Sequence, residues 1–225
     1  MEKYTGIIVA EVKELEAIKN IMANTKENNI YDLKILEGEI NNKKYIVARS
    51  GVGKVNAART AQILIDKFDI ESIINVGSAG AINDELNIGD IVVGEKLVQH
   101  DFDVTAFGRE KGYIPDTGKF FMSEESIIEK CKNIKVENIN IILGTIASGD
   151  VFCKDINMKI EIRKQFNADC VEMEGTAIAQ VCFLNKIPFI IIRSISDVPN
   201  GKNQIDFDKY LEFASENCAK FIMQL

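Results

Sequence analysis

Seven runs rich in Ile and Val read as strands: Gly6–Ala10, Lys34–Ile40, Tyr45–Ser50, Ser72–Gly77, Asp90–Val98, Asn140–Ala147 and Pro188–Ile195, bounded by Gly, Asn or Asp. Several are apolar on consecutive residues, the pattern of strands covered on both faces, because alternation disappears when neither face meets water. Helical spacing appears between them near Glu11–Ala23, Lys54–Phe68, Glu124–Lys132, Met158–Phe166 and Glu174–Leu184. A last helix runs from Phe207 onward, where Tyr210, Ala214, Asn217, Cys218, Phe221 and Leu225 recur on one face and Asp206 stands as N-cap. That stripe reads as core packing. Strand and helix alternate along most of the chain, which predicts an α/β fold around a largely buried sheet with its ligand beyond the carboxyl ends of the strands. Candidate polar residues should therefore collect where apolar strands stop, as Glu14, Ser78, Asp150, Glu172, Glu174 and Asp197 do.

A chain of 225 residues without a Pro/Gly/Ser-rich linker, an internal repeat or a low-complexity segment fits one domain, residues 1–225. Its 46% hydrophobic content is enough for a sizeable core. A net charge of -7 argues against a sequence-independent nucleic-acid binder and suits solubility instead. The apolar run Ile7–Ala10 is too brief for a signal-peptide core or a bilayer span, and no other segment is long enough to span one. Cys131, Cys153, Cys170, Cys182 and Cys218 are odd in number and hold no C-x-x-C pair, so they fit reduced thiols in a cytoplasm. With His100 as the single histidine, no histidine-rich metal centre can be assembled, and no metal or cofactor is expected. Carboxylates become the first suspects for chemistry.

Two glycine motifs mislead. Ser50-Gly51-Val52-Gly53-Lys54 resembles a phosphate loop, but Ala48 and Val55 stand where that motif needs Gly and Ser/Thr. A tight strand-to-helix turn explains it better. Gly77-Ser78-Ala79-Gly80 falls short of G-x-G-x-x-G and reads as bare backbone that admits a small ligand. His100, beside Asp101 and Asp103, reads as a hydrogen-bonded structural histidine, since no second soft ligand lies near.

The chemistry concentrates later. Val171-Glu172-Met173-Glu174-Gly175-Thr176 sets two acids before a small-residue helix, an arrangement that also suits a helix dipole. Ile190-Ile191-Ile192-Arg193-Ser194-Ile195-Ser196-Asp197 runs a buried strand into Arg, two serines and an aspartate. Together with Gly77-Ser78-Ala79-Gly80, Gly89-Asp90-Ile91, Ser148-Gly149-Asp150 and Asp103-Val104-Thr105-Ala106-Phe107-Gly108, the ordered set resembles the nucleoside phosphorylase/hydrolase superfamily. Within it the chain is most similar to the methylthioadenosine/S-adenosylhomocysteine nucleosidases, over nearly its whole length.

That resemblance implies a three-layer α/β sandwich with a central mixed, twisted sheet flanked by helices, and a homodimer with water as co-substrate and no cofactor. It implies hydrolysis of the adenine N-glycosidic bond of 5'-methylthioadenosine and S-adenosylhomocysteine, in methionine salvage and S-adenosylmethionine recycling. By the same resemblance Asp197 would protonate adenine N7 and Glu14 would deprotonate the attacking water. Ser196 would hold Asp197 and the base, Phe152 would stack on adenine, and the Cys153 backbone would bond its edge. Glu172 would belong to the substrate site, while Glu174 and the Met173 backbone would bind ribose hydroxyls. Ser78 and Arg193 would fix water and sugar. Val52, Met173 and Phe207 would line the 5' pocket, with Phe107 and Pro115 supplied by a partner subunit.

The residue types suit the reaction. Adenine leaves poorly as an anion, so an acid on the base and a carboxylate at the water follow the logic of inverting glycosidases. Burial should raise the proton affinity of Asp197 while Glu14 stays ionised. A phosphorylase is disfavoured because Glu14 would repel phosphate. A futalosine-type nucleosidase, whose substrate carries a 5' carboxylate, is disfavoured by Glu11, and a non-catalytic binder has no use for both Glu14 and Asp197. Glu11 stands where related nucleosidases commonly carry methionine, and Val9 where they often carry glycine. A carboxylate there, if it faces the 5' pocket and not solvent, would favour an amino-bearing homocysteine group over methylthio.

Overall fold

The computed structural model describes residues 3–198 and 203–225, with side chains in the second stretch described from residue 207 onward. β1 (Tyr4–Val9) leads into α1 (Val12–Asn20), followed by the meander β2 (Ala23–Ile30), β3 (Leu33–Ile40) and β4 (Lys43–Arg49). α2 (Lys54–Lys67) returns the chain to β5 (Ile70–Ala81) and β6 (Ile91–Gln99). Past a 3-10 turn at Thr105–Phe107 come β7 (Phe121–Met122), α3 (Glu125–Cys131), β8 (Ile141–Ser148) and α4 (Ile156–Phe166). The last elements are β9 (Cys170–Glu172), α5 (Gly175–Asn185), β10 (Phe189–Asp197) and α6 (Asn203–Ile222).

The strands form one mixed sheet. β5 pairs in parallel with both β1 and β10, and β10 continues antiparallel to β6, whose other edge pairs with β8. β9 bridges β8 back to β5, so these five strands close on themselves while β1, β4, β3 and β2 extend as an open wing. Successive residues of the apolar strands feed opposite cores, as expected for a sheet covered twice. Ile7 and Val9 pack with Ile18 of α1 and Cys218 and Phe221 of α6, whereas Ile8 packs with Leu64 of α2 and Ile178 of α5. α4 covers a third patch through Ile162 and Phe166. Each core Ile or Leu contributes on the order of 1.5–3 kcal/mol through burial.

Two expected boundaries move. β2 reads Ala-Asn-Thr-Lys-Glu-Asn-Asn-Ile and is exposed almost throughout, an edge strand that no apolar pattern announces. α6 opens at Asn203, three residues before the expected cap Asp206, because its first turn is polar and carries no apolar period; the Asp206 side chain lies outside the described residues.

Candidate active site

Glu14 occupies the third position of α1 and folds back over the helix start. Its Oε2 accepts the N–H groups of Ala10 and Glu11, both at 2.9 Å. This is the return half of a capping box, and it satisfies donors that a helix N-terminus leaves open. Oε1 accepts the Ser78 N–H at 3.0 Å, with the Ser78 hydroxyl at 3.4 Å. Gly77 makes this approach possible: a Cβ there would lie 2.8 Å from Glu14 Oε1 and 2.7 Å from Arg193 Nη1.

Asp197 closes β10 and is 3% exposed. The Ser196 hydroxyl is shared between Asp197 Oδ1 at 3.2 Å and the Ala79 carbonyl at 3.3 Å. Oδ2 accepts from Lys159 Nζ at 3.1 Å, a partner the sequence did not suggest. Here too a glycine makes room, since a Cβ on Gly80 would stand 2.9 Å from Asp197 Oδ2. The Gly77-Ser78-Ala79-Gly80 segment thus seats both carboxyls against its backbone, and Ser78, Ala79 and Gly80 also line the cavity described below. Burial was expected to govern Asp197, and the structure adds an ion pair with Lys159 beside it.

Glu172 and Glu174 part company at the strand-to-helix turn. Glu172 Oε2 accepts the N–H groups of Glu174 at 2.9 Å and Gly175 at 2.7 Å, capping α5, and also binds Arg193 Nη2. Its Oε1 accepts from the Ser148 hydroxyl. Burial pushes this carboxyl up, but the Arg193 charge, the Ser148 and Arg193 hydrogen bonds and the Gly175 N–H outweigh it and hold Glu172 below its ordinary value. With both oxygens engaged, it serves as the counter-ion of Arg193, and it also lines the cavity. Glu174 accepts only the Gly53 N–H at 2.9 Å and stands 3.9 Å from Arg193 Nη2. Burial, then the charge of Glu172, push it up to about 8. The strongly raised carboxyl of the site is therefore Glu174, which at neutral pH carries a proton and can both donate and accept.

A cavity of about 200 Å³ is lined by Glu14, Ser78, Val52, Phe152, Cys153, Glu172, Met173, Glu174, Ser196, Asp197 and Phe207, together with Glu11. Its apolar walls with a few convergent polar groups suit a small organic ligand. The rings of Phe152 and Phe207 meet edge to face, 5.9 Å apart, and Phe152 is partly exposed. Burial pushes the Cys153 thiol up to about 11, leaving it neutral. Arg193 is buried, with Nη2 bound to Glu172 and Asn75, while its Nε has no hydrogen-bond partner among the described residues. Phe107 is highly exposed on the 3-10 turn, and it and Pro115 lie outside this cavity.

Asp150 departs from the expected cluster. It faces solvent, accepts the Lys54 N–H at 2.8 Å and gives its own N–H to Asp101. Lys54, the lysine of the phosphate-loop look-alike, is bound to Asp101 at 2.7 Å. Gly51 and Gly53 have φ of 80° and 100°, which confirms the tight turn and aims the Gly53 N–H at Glu174. His100 is buried and its proton affinity is lowered by burial, but its Nε2 has no hydrogen-bond partner among the described residues.

Residues 4–225 match the family model described as the phosphorylase superfamily. A 5'-methylthioadenosine/S-adenosylhomocysteine nucleosidase of Staphylococcus aureus (strain bovine RF122 / ET3-1) is 38% identical over 222 residues, which is 98% of this chain and 97% of that protein. The chain belongs to this nucleosidase family. A crystal structure of the Neisseria meningitidis member of the family, in complex with methylthio-immucillin-A, superposes with a TM-score of 0.95 at 37% identity, covering 100% of this chain and 98% of that one. A futalosine hydrolase mutant of Helicobacter pylori superposes with a TM-score of 0.94 at 33% identity, covering 100% and 98%. The nucleosidase family thus shares its fold with a futalosine hydrolase.

Proposed function

We propose that this chain hydrolyses the N-glycosidic bond of 5'-methylthioadenosine and S-adenosylhomocysteine, releasing adenine, in methionine salvage and S-adenosylmethionine recycling. The observation that carries the reading is that Glu14 and Asp197 line one cavity, seated at Gly77 and Gly80 of a single strand. Two carboxyls on one cavity are what a water and a sugar–base linkage held between them require.

In this reading the Asp197 O–H passes its proton to adenine N7 as the C1'–N9 pair moves onto the base. Water adds to C1' and its proton goes to Glu14. Glu174 binds a ribose hydroxyl, helped by the Met173 backbone, and Ser78 steadies Glu14 and the water. Phe152 stacks on the base and the Cys153 backbone bonds its edge. Val52, Met173 and Phe207 flank the 5' group, and a second copy in a homodimer completes the pocket with Phe107 and Pro115. Residues 1–225 act as one domain, and five free, buried cysteines fit a reducing cytoplasm.

The test is adenine release from methylthioadenosine, S-adenosylhomocysteine, 5'-deoxyadenosine and inosine, with and without phosphate. Equal rates in phosphate-free buffer and inert inosine are expected; an absolute phosphate requirement overturns the reading. Futalosine joins the panel because of the Helicobacter pylori neighbour, although Glu11 on the cavity wall repels a 5' carboxylate.

A further inference from the structure

The inward face of α4 is built from Lys159, Ile162 and Phe166, so a lysine holds a station that the helical period assigns to a hydrophobe. Its side chain is 2% exposed, and its partner Asp197 is 4% exposed. An ammonium in such a place is strongly unfavourable unless paired and hydrogen-bonded. The pair fixes the carboxyl from two sides, Ser196 at Oδ1 and Lys159 at Oδ2.

We propose that Lys159 is a positioning residue for Asp197, orienting its carboxyl and setting the pH range over which it carries the proton given to the leaving base. The inference rests on the acid role of Asp197 proposed above. The groups that face the Asp197 carboxyl come from several elements. α4 supplies Lys159, and the segment before it Cys153, with Asp155 acting on the same thiol. Among the described residues β9 supplies Cys170, β10 the Ser196 hydroxyl and β5 the backbone of Gly80. Burial pushes both thiols up, so they remain neutral across the working range. Lys159 is thus a cation placed to bias the carboxyl, and a neighbouring cation holds an acid in its ionised form to lower pH. The proton lost with adenine is replaced from solvent.

The pH profile of kcat/KM for adenine release tests this in wild type, Lys159→Met and Lys159→Arg. The alkaline limb, where Asp197 loses its proton, should move up by about one unit or more in Lys159→Met and return to the wild-type position in Lys159→Arg. Glu174 titrates in the same range in all three proteins, so the difference between profiles reports Asp197. Coincident alkaline limbs in wild type and Lys159→Met overturn the proposal. A second measurement does not depend on activity. Asp197→Asn should lower Tm by weakening the hold on the buried ammonium, and adding Lys159→Met should restore it. Additive losses in the double variant overturn the pairing itself, whereas a wild type that releases no adenine overturns the acid role and leaves this stability cycle to judge the pair.

Discussion

Glu14 and Asp197 are buried to the same degree and line the same cavity, yet opposite means hold them. Glu14 is gripped by neutral donors, three backbone N–H groups and a serine hydroxyl, two of them supplied by the start of its own helix and two by Ser78 of β5. Asp197 sits at a strand end and faces a full cation delivered by α4, 38 residues away in sequence. Neutral donors at a helix start fix an acceptor without adding a group that itself titrates. An ion pair fixes a carboxyl just as firmly but biases its protonation, which suits a residue whose proton has to be timed. The base end of the cavity is therefore held by neutral donors and the acid end by an ion pair.

Removing either carboxyl should produce the largest effect. Glu14→Gln and Asp197→Asn are each expected to lower kcat by about 10²–10⁴, the usual worth of a proton-transfer role. Steady-state adenine release on folded protein measures it, and near-normal turnover in one variant removes that residue from the chemistry. Less severe are the glycines behind them. Gly80→Ala pushes a methyl to within 2.9 Å of Asp197 Oδ2, and Gly77→Ala crowds Glu14 and Arg193. Displacements of about 1 Å at reacting groups cost on the order of 10²-fold. Gly80→Ala should therefore depress kcat while Tm falls little, because its clash is with the tip of one side chain. Gly77→Ala should lose both, because Arg193 anchors Glu172 and Glu174. Equal Tm losses in the two variants would erase this distinction between the ends of the cavity.

Much of this was legible in the chain and some was not, for reasons visible in particular residues. Apolar runs such as Ile190-Ile191-Ile192 announced the buried strands, because both faces are covered. β2 escaped because an exposed edge strand needs no hydrophobes, and β9 because three residues are too few to show a period. Glu14 and Asp197 stood out at strand and helix junctions, but Asp150, at a similar junction, turned outward to cap the Lys54 N–H. Lys159 was missed since Lys-Ile-Glu-Ile-Arg-Lys reads as a solvated surface. Counting back from Phe166 and Ile162 at helical spacing would have placed it inward. Arg193 was expected at water and sugar, and only the packed structure shows that its Nη2 is held by Glu172 and Asn75.

Glu174 sharpens the contrast through pH. Its carboxyl titrates near 4.5 in the unfolded chain and about 8 in the folded one, so folding retains a proton. That contribution to stability is fully present below about pH 4.5 and is lost as pH rises through about 8. Between pH 6 and 9 the wild-type Tm should fall more steeply than that of Glu174→Gln, whose amide cannot ionise. Parallel Tm curves for the two proteins would mean that Glu174 is not the strained carboxyl of the site.

The smallest expected effect concerns Glu11, which borders the cavity beside Glu14 but carries no proton in the proposed reaction. A half-exposed carboxylate at the 5' end penalises an apolar methylthio group and attracts an amino group, but solvent screens it. Exposed charge interactions are worth about 0.2–1 kcal/mol, which corresponds to only about a 1.4- to 5-fold change in preference. Glu11→Met should therefore shift the ratio of kcat/KM for S-adenosylhomocysteine over methylthioadenosine downward by no more than that, with kcat for either substrate nearly unchanged. A fall in kcat itself would show that Glu11, as N-cap of the helix that carries Glu14, reaches the base through the backbone, and would make the acid and base ends of the cavity more alike than their partners suggest.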